Sequence, residues 1–84
     1  MSSMEQIKGV LDTVLGLNGR SAAFEASTPL LGHLPELDSM AVVGILTALE
    51  EQFGIVVDDD EISGETFETL GSLTTFVDQK RAGA

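Results

Sequence analysis

The stretch that most constrains this chain is the run 37–40, Leu-Asp-Ser-Met, together with the helix that follows it. Apolar side chains recur there in steps of four, three and four residues, at Val42, Leu46, Leu49 and Phe53. This spacing places them on one helical face turned toward a core. Asp38 suits the N-cap, since its carboxylate can accept from free amides of the first turn, and Gly54 suits the left-handed residue that ends a helix. We therefore predict a helix over 39–53 that displays Ser39 in its first turn.

The first turn of a helix is a favourable place for a serine that carries a phosphodiester. Free backbone amides and the positive end of the helix dipole both stabilise an anion there. An Asp-Ser pair alone does not establish such a role, because this pair also opens many ordinary helices. The remaining sequence has to distinguish a phosphodiester carrier from a simple helix start.

Three runs of the sequence resemble the acyl carrier protein family. They are the triplet Asp38-Ser39-Met40, the Leu-Glu-Glu-Gln-Phe-Gly-Ile run at 49–55, and the Phe-Glu-Thr-Leu-Gly-Ser-Leu run at 67–73. In that family a similar triplet opens the second helix, the next run closes it, and the third leads into the last helix. The resemblance covers about residues 4–80, and the three runs at family spacing are a more specific signal than the triplet alone.

The resemblance implies a carrier that is not itself an enzyme. A phosphopantetheinyl transferase would move 4'-phosphopantetheine from coenzyme A to the hydroxyl of Ser39, assisted by magnesium. The product would be a phosphoprotein whose thiol holds acyl groups as thioesters. Asp38 would cap the helix and help to place the metal or the attacking serine. Fatty acid or secondary metabolite biosynthesis follows as the context, and the 28–40 stretch looks most like stand-alone specialised carriers.

The amino-acid composition, independently of the resemblance, limits the fold classes and sites that the chain can form. Eighty-four residues make a single domain over 1–84, and four Phe without Trp or Tyr predict an aliphatic core. The absence of Cys excludes disulfides and thiolate metal ligands. No apolar run approaches the roughly 20 residues of a membrane span, and the first residues do not form a signal peptide. We expect a cytoplasmic protein with no membrane partner.

The charge of the chain indicates which partners it meets. Fourteen acidic residues against four Lys and Arg give a net charge of −10. Nucleic acid phosphates would repel such a surface. The acids instead favour encounters with basic patches on protein partners, here the transferase and acyl-loading ligase or synthase and transferase enzymes. We expect the carrier itself to be a monomer.

The pattern along the chain predicts an all-α fold, a four-helix acyl-carrier-like bundle with a long loop between helices 1 and 2 and a short third helix. The expected helices span about 3–17, 39–53, 59–67 and 70–81. Thr69 should cap the last helix. A loop as long as 18–38 usually has a task, and this one should pin itself to the bundle through its apolar residues. These are Phe24, Leu30, Leu31, Leu34 and Leu37.

Two groups of residues on and around the second helix are predicted to serve the carrier role. A docking strip for partners faces away from the core and comprises Met40, Val43, Thr47, Glu50 and Glu51. The alternative is that the third helix or the long loop covers this strip. An apolar space that shelters the acyl group would be lined by Ile45, Leu46, Ile62, Phe67 and Leu70. Gly44 could allow a partner to approach the backbone or could serve internal packing.

Three other functions compete with the carrier role. A hydrolase would need a base near the Ser39 hydroxyl, but adjacent Asp38 points about 100° away around the helix, and His33 lies in a loop. The acids at 58–61 lack the alternating spacing and central Gly of a calcium loop, so we expect no metal site. An unmodified helical module of carrier-like fold that only binds a partner remains the alternative.

Overall fold

The computed structural model describes residues 3–83, except for the side chain of Asp59. These residues form three α-helices: α1 (Ser3–Leu15), α2 (Ser39–Phe53) and α3 (Leu70–Gly83). Two short 3-10 turns lie between them, at Arg20–Ala23 and Asp59–Glu61. The predicted all-α class is confirmed. Within the described residues, no helix is long and apolar enough to cross a membrane.

Helix α1 ends earlier than predicted. Gly16 adopts a left-handed φ of 64° directly after Leu15, and the amide of Leu17 donates to the carbonyl of Asp12 at 3.1 Å. This six-to-one hydrogen bond is the Schellman ending of a helix, and it places Leu17 in the core. The predicted end at residue 17 was therefore wrong, because Gly16 terminates the helix rather than belonging to its interior.

Both predicted ends of α2 are confirmed. The Asp38 carboxylate accepts from the Ala41 amide at 2.8 Å, and Gly54 follows the last turn with a φ of 65°. The amide of Ile55 donates to the carbonyl of Glu50 at 3.2 Å, so α2 closes with the same ending as α1. Helix α3 begins where predicted, with the Thr69 hydroxyl accepting from the Ser72 amide at 3.1 Å.

The predicted third helix over 59–67 was wrong. Only the 3-10 turn at Asp59–Glu61 forms, and turns occupy 64–68. The amide of Ser63 donates to the Thr66 hydroxyl at 3.3 Å, and the Thr66 amide returns a hydrogen bond to the Ser63 carbonyl at 3.1 Å. Serine and threonine compete in this way with helical hydrogen bonds, and Gly64 disfavours the helix further.

The three helices and the long loop share one apolar core, which is not purely aliphatic as predicted, because Phe67 is buried in it. Helix α1 runs antiparallel to α2, since a Cβ at Gly44 would meet Val14 at 3.3 Å while Gln52 donates to Gln6 at 2.9 Å. The fully buried side chains are Ile7, Leu11, Leu17, Leu30, Ile45, Leu49, Phe67, Leu70, Leu73 and Val77. The buried face of α2 is therefore centred on Ile45 and Leu49, with the predicted Val42, Leu46 and Phe53 only half-buried.

The long loop pairs with the chain that leads into α3. Leu30 donates to the carbonyl of Glu68 at 2.9 Å, and Leu70 donates to the carbonyl of Thr28 at 3.0 Å. The predicted anchoring of the loop holds for Phe24, Leu30, Leu34 and Leu37, which all contact the core. Leu31 does not take part, because it is 43% exposed.

Candidate functional site

Ser39 is the first residue of α2, and its side chain is exposed. Asp38 precedes it in an extended conformation and binds the Ala41 amide, which fixes the direction in which the helix starts. The amides of Ser39 and Met40 have no acceptor within the helix, as at any helix N-terminus. An exposed hydroxyl beside free amides is suited to carry a phosphodiester, because the amides and the dipole of this 15-residue helix stabilise the anion.

The end of the long loop holds Ser39 at this corner. Leu37 is buried two residues before the serine, and its amide donates to the carbonyl of Leu34 at 3.0 Å. Glu36 forms an ion pair with Arg20 from the start of the loop. A hydrogen bond from its own backbone amide and then the Arg20 guanidinium hold the pKa of the Glu36 carboxyl below its ordinary value. The end of the loop is therefore held in place before α2 by buried Leu37 and by the ion pair of Glu36.

Four of the five residues predicted for the docking strip are exposed. Met40 is 77% and Val43 59% exposed, and the side chains of Thr47 and Glu51 also face solvent. Neither the long loop nor the segment at 59–67 covers Met40 and Val43, so the competing explanation for this strip is wrong. The Thr47 hydroxyl donates to the carbonyl of Val43 at 3.0 Å, as helical threonines commonly do.

Glu50 differs from the rest of the strip. It is half-buried, and its carboxylate accepts from the amide of Val57 at 2.8 Å. This contact fastens the extended segment after α2 to the helix, so Glu50 supports the fold beside the strip. The same segment exposes 73% of Val56, an apolar residue that the sequence did not mark as a surface candidate. The alternation in Ile55-Val56-Val57 was the available signal, since Ile55 is buried and Val56 points outward.

The five residues predicted to shelter an acyl group lie together in the core. Ile45, Phe67 and Leu70 are buried, and Leu46 and Ile62 pack against the same cluster while partly exposed. Two surface cavities of this protein are lined by other residues, one between α1 and α2 and one between the 63–66 segment and α3. The predicted lining therefore consists of three core side chains, Ile45, Phe67 and Leu70, and two side chains at the edge of the core, Leu46 and Ile62.

The acidic turn after α2 makes protein contacts. Glu61 accepts from the Asp58 amide at 2.8 Å and from the Lys80 ammonium at 2.7 Å. The Asp58 amide first, and then Lys80, hold the pKa of Glu61 below its ordinary value. Over residues 3–83, the Asp59 side chain excepted, no group of His, Asp and Glu side chains is arranged to hold a metal ion. His33 is exposed in the loop.

An exposed serine at the capped start of a helix, in an all-α bundle, is the arrangement expected of a carrier domain for a phosphate-linked prosthetic group, and comparison with known proteins distinguishes it from an ordinary helix start. The family model described as the phosphopantetheine attachment site matches residues 5–77. The structure is similar to the solution NMR structure of the holo acyl carrier protein from Nitrosomonas europaea, with a TM-score of 0.90 and 55% sequence identity. The match covers 98% of this chain and 99% of that one.

The chain belongs to the acyl carrier protein family. It carries acyl groups on a covalently attached 4'-phosphopantetheine arm and is not an enzyme. As such a carrier it interacts with a phosphopantetheinyl transferase and with acyl-handling enzymes.

Proposed function

We propose that the arm is attached to the hydroxyl of Ser39 and that acyl groups are presented from this corner to partner enzymes. The observation that supports the proposal is the exposed Ser39 at the start of α2, with Asp38 capping the Ala41 amide at 2.8 Å. When bound, the arm supplies the thiol that holds the acyl group as a thioester. The residues of the chain position it and stabilise its phosphate.

Asp38 and the first-turn amides have distinct tasks in this proposal. The Asp38 carboxylate fixes the first turn, so the Ser39 hydroxyl is held outward for the transferase. Asp38 also helps to place the magnesium of the transferase reaction or the serine itself. The free amides of Ser39 and Met40 then face the phosphodiester and stabilise its charge.

The docking strip is proposed to contact the partner enzymes that recognise the carrier. Met40 and Val43 offer exposed apolar area beside Ser39, and Glu51 supplies a negative charge at the far end. Partner enzymes with basic docking patches fit this surface, and the net charge of −10 steers their encounter. Thr47 completes the strip, and Glu50 borders it while holding Val57.

The acyl group is proposed to enter between α2 and the segment 54–69, where Ile45, Leu46, Ile62, Phe67 and Leu70 meet. The polar contacts that join the segment to the helices include those of Glu50 with Val57, Ser72 with Thr66 and Glu61 with Lys80. The methyl resonances of Ile45 and Ile62 should shift when a long acyl chain is loaded. Unchanged resonances in a fully loaded sample would show that the chain stays in solvent.

Location and assembly complete the proposal. We place the protein in the cytoplasm as a monomer, because coenzyme A and the acyl-handling enzymes are available there and like charge opposes self-association. Its partners belong to fatty acid or secondary metabolite biosynthesis, and a specialised stand-alone role fits Ala41 and Gly44, where familiar carriers usually place acids.

Incubation with coenzyme A, magnesium and a phosphopantetheinyl transferase tests the attachment point. Intact mass should show one added phosphopantetheine on the natural chain and none on Ser39→Ala, whose thermal unfolding should be unchanged. Ser27→Ala is the matched control, since Ser27 is an exposed serine in the long loop and should leave modification complete. Full modification of Ser39→Ala would overturn the assignment, and an unmodified natural chain would favour a module that only binds partners.

The same reaction tests the docking strip, because the transferase is itself a partner. Glu51→Lys should slow modification more at low salt than at high salt, since salt screens the encounter of charged surfaces. An unchanged rate at low salt would remove Glu51 from the proposed contact.

A further inference from the structure

Asn18 and Gly19 form an exposed turn shortly after α1, and Asn18 is the single asparagine of the chain. Both residues have left-handed backbone conformations, with φ values of 54° and 89°. Asparagine is a chemically labile residue, and a following glycine favours loss of its side-chain amide, because glycine has no Cβ to hinder attack by its backbone nitrogen. The chain therefore has one position at which spontaneous deamidation is chemically favoured.

The reaction needs only water and a base in the solvent. The Gly19 nitrogen loses its proton to that base and forms a bond to Cγ of Asn18, while the C–N bond of the side-chain amide breaks and ammonia leaves. Water then opens the resulting five-membered imide at one of its two carbonyls. The product is aspartate, or isoaspartate in which the backbone runs through the former side chain. Either product adds one negative charge to the chain.

The folded chain opposes the first step in two ways. The Gly19 amide donates to Oδ2 of Asp12 at 2.9 Å, and a negative charge beside this amide disfavours the nitrogen anion that the attack requires. A left-handed residue such as Asn18 has ψ of about 47°, which turns the following nitrogen to the side of the Cα–C bond opposite Cβ. Ring closure requires that nitrogen to lie beside Cβ.

Asp12 also holds the turn in its closed conformation. Its Oδ2 accepts from the Ser21 hydroxyl at 2.9 Å as well as from Gly19, and its carbonyl accepts from the Leu17 amide at 3.1 Å. Ser21 is buried, and hydrogen bonds to a charged acceptor are stronger than those between neutral groups. One residue of α1 thereby fixes the backbone on both sides of Asn18.

We propose that Asn18 is a site of spontaneous deamidation and that Asp12 protects it. The reaction is slow while the Asp12 contacts are intact, and it proceeds when the turn at 17–21 opens locally. The product does not fit the closed turn, because its new carboxylate is attached next to the amide that Asp12 binds and the two like charges repel. Isoaspartate also lengthens the backbone. The modification therefore leaves the start of the long loop open.

Incubation of the chain in mildly alkaline buffer tests this proposal. Intact mass and ion-exchange chromatography follow the product, and the same chain unfolded in guanidinium chloride gives the rate without the fold. The folded chain should react roughly tenfold more slowly or less, as expected for an amide hydrogen-bonded to a charged group. Asn18→Gln should show no reaction over the same period, because glutamine has to close a larger ring, and this result would assign the site.

Asp12→Ala tests the protecting residue. Its folded form should deamidate roughly tenfold faster than the natural chain, because hydrogen bonds to a charged group are lost. Ser21→Ala, which loosens the same contacts without a change in α1, should also react faster and serves if Asp12→Ala does not fold. Thr69→Ala is the matched control, since it removes the cap of α3 and leaves the turn intact. Its rate should equal that of the natural chain.

Three results would overturn the proposal. They are a folded natural chain that deamidates as fast as the unfolded one, folded Asp12→Ala or Ser21→Ala that reacts no faster than the natural chain, and Thr69→Ala that reacts as fast as these variants.

Asn18→Asp reports the consequence of the modification. The amides of Gly19 and Ser21 should exchange their hydrogens faster than in the natural chain, because the turn opens. Unchanged exchange would show that the product fits the closed turn and would overturn that part of the proposal. None of these measurements uses Ser39 or its arm, so their outcome is independent of the attachment point.

Discussion

Asp38 caps the helix whose first residue is Ser39. Its hydrogen bond to the Ala41 amide is the side-chain cap of α2. Replacing such a cap by alanine costs about 0.5–2 kcal/mol, and Asp38→Ala should lower the free energy of unfolding by this amount in urea titrations. Asp38→Asn should restore most of the stability, since asparagine caps helices well.

The two Asp38 variants also separate its proposed tasks. If Asp38 only caps the helix, Asp38→Asn should be modified by the transferase as fast as the natural chain. If the carboxylate also helps to place magnesium or the serine, Asp38→Asn should be stable but slowly modified. Equal stability of Asp38→Ala and the natural chain would show that the cap contributes nothing measurable.

At the scale of elements, the segment between α2 and α3 is held by charged contacts as well as by its apolar side chains. The pKa of Glu61 is lowered from its ordinary 4.5 by the Asp58 amide and Lys80. A lowered pKa contributes stability that is fully present above the unfolded value and is lost as the pH falls through the folded value. The Glu61 contacts should therefore stabilise the segment at neutral pH and fail in acid.

Comparison of the natural chain with Glu61→Gln measures this contribution. The natural chain should be slightly more stable at neutral pH, and the difference should shrink as the pH falls below 4.5. The effect is small, because the pair is exposed to solvent. Lys80→Met should remove part of the difference. A stability gap that stays constant through this range would show that the Glu61 charge has no role.

The elements that the sequence predicted best are those whose ends are determined locally. Asp38 and Gly54 are both neighbours in sequence of the helix that they cap, so α2 could be located to the residue. The prediction of a helix over 59–67 was wrong because the acids and the apolar spacing of this segment are compatible with a helix. The observed turns are instead held by the hydrogen bond from Ser63 to Thr66 and by the contact of Glu61 with Lys80 from α3. The contact with Lys80 depends on tertiary structure, whereas the hydrogen bonds between Ser63 and Thr66 are local and compete with those of a helix.

The candidate site shows the same division. The exposure of Ser39, Met40 and Val43 could be predicted, because the positions of side chains around a helix follow from their spacing in the sequence. The bond from Val57 to Glu50 could not be foreseen, because it depends on where a neighbouring segment lies. The sequence left open whether Gly44 serves a partner's approach or internal packing. A Cβ at this position would lie close to Val14, which favours internal packing.

At the scale of the whole molecule, net charge opposes the compact state. Fourteen acids repel one another across a small fold, and only four Lys and Arg offset them. Salt screens this repulsion over about 8–10 Å at moderate ionic strength. The melting temperature should therefore rise with added sodium chloride, and rise further with a divalent cation at equal ionic strength.

The salt response can be checked against a variant with less charge. Asp60→Asn with Glu65→Gln removes two exposed acids, so its melting temperature should depend less on salt than that of the natural chain. A natural chain that is indifferent to both salts would show that its acids are too well solvated to oppose folding.

The contact between the two ends of the described chain has a consequence for how the carrier can be tethered. Ser3 donates to Asp78 at 2.5 Å and accepts from Arg81 at 2.7 Å, and Arg81 also lies over the ring of Phe53. Phe53 ends the helix that Ser39 begins, about 21 Å away at 1.5 Å per residue. A fusion partner, linker or solid support attached at either end therefore leaves the serine on the opposite side of the bundle, and the full reach of its arm remains usable.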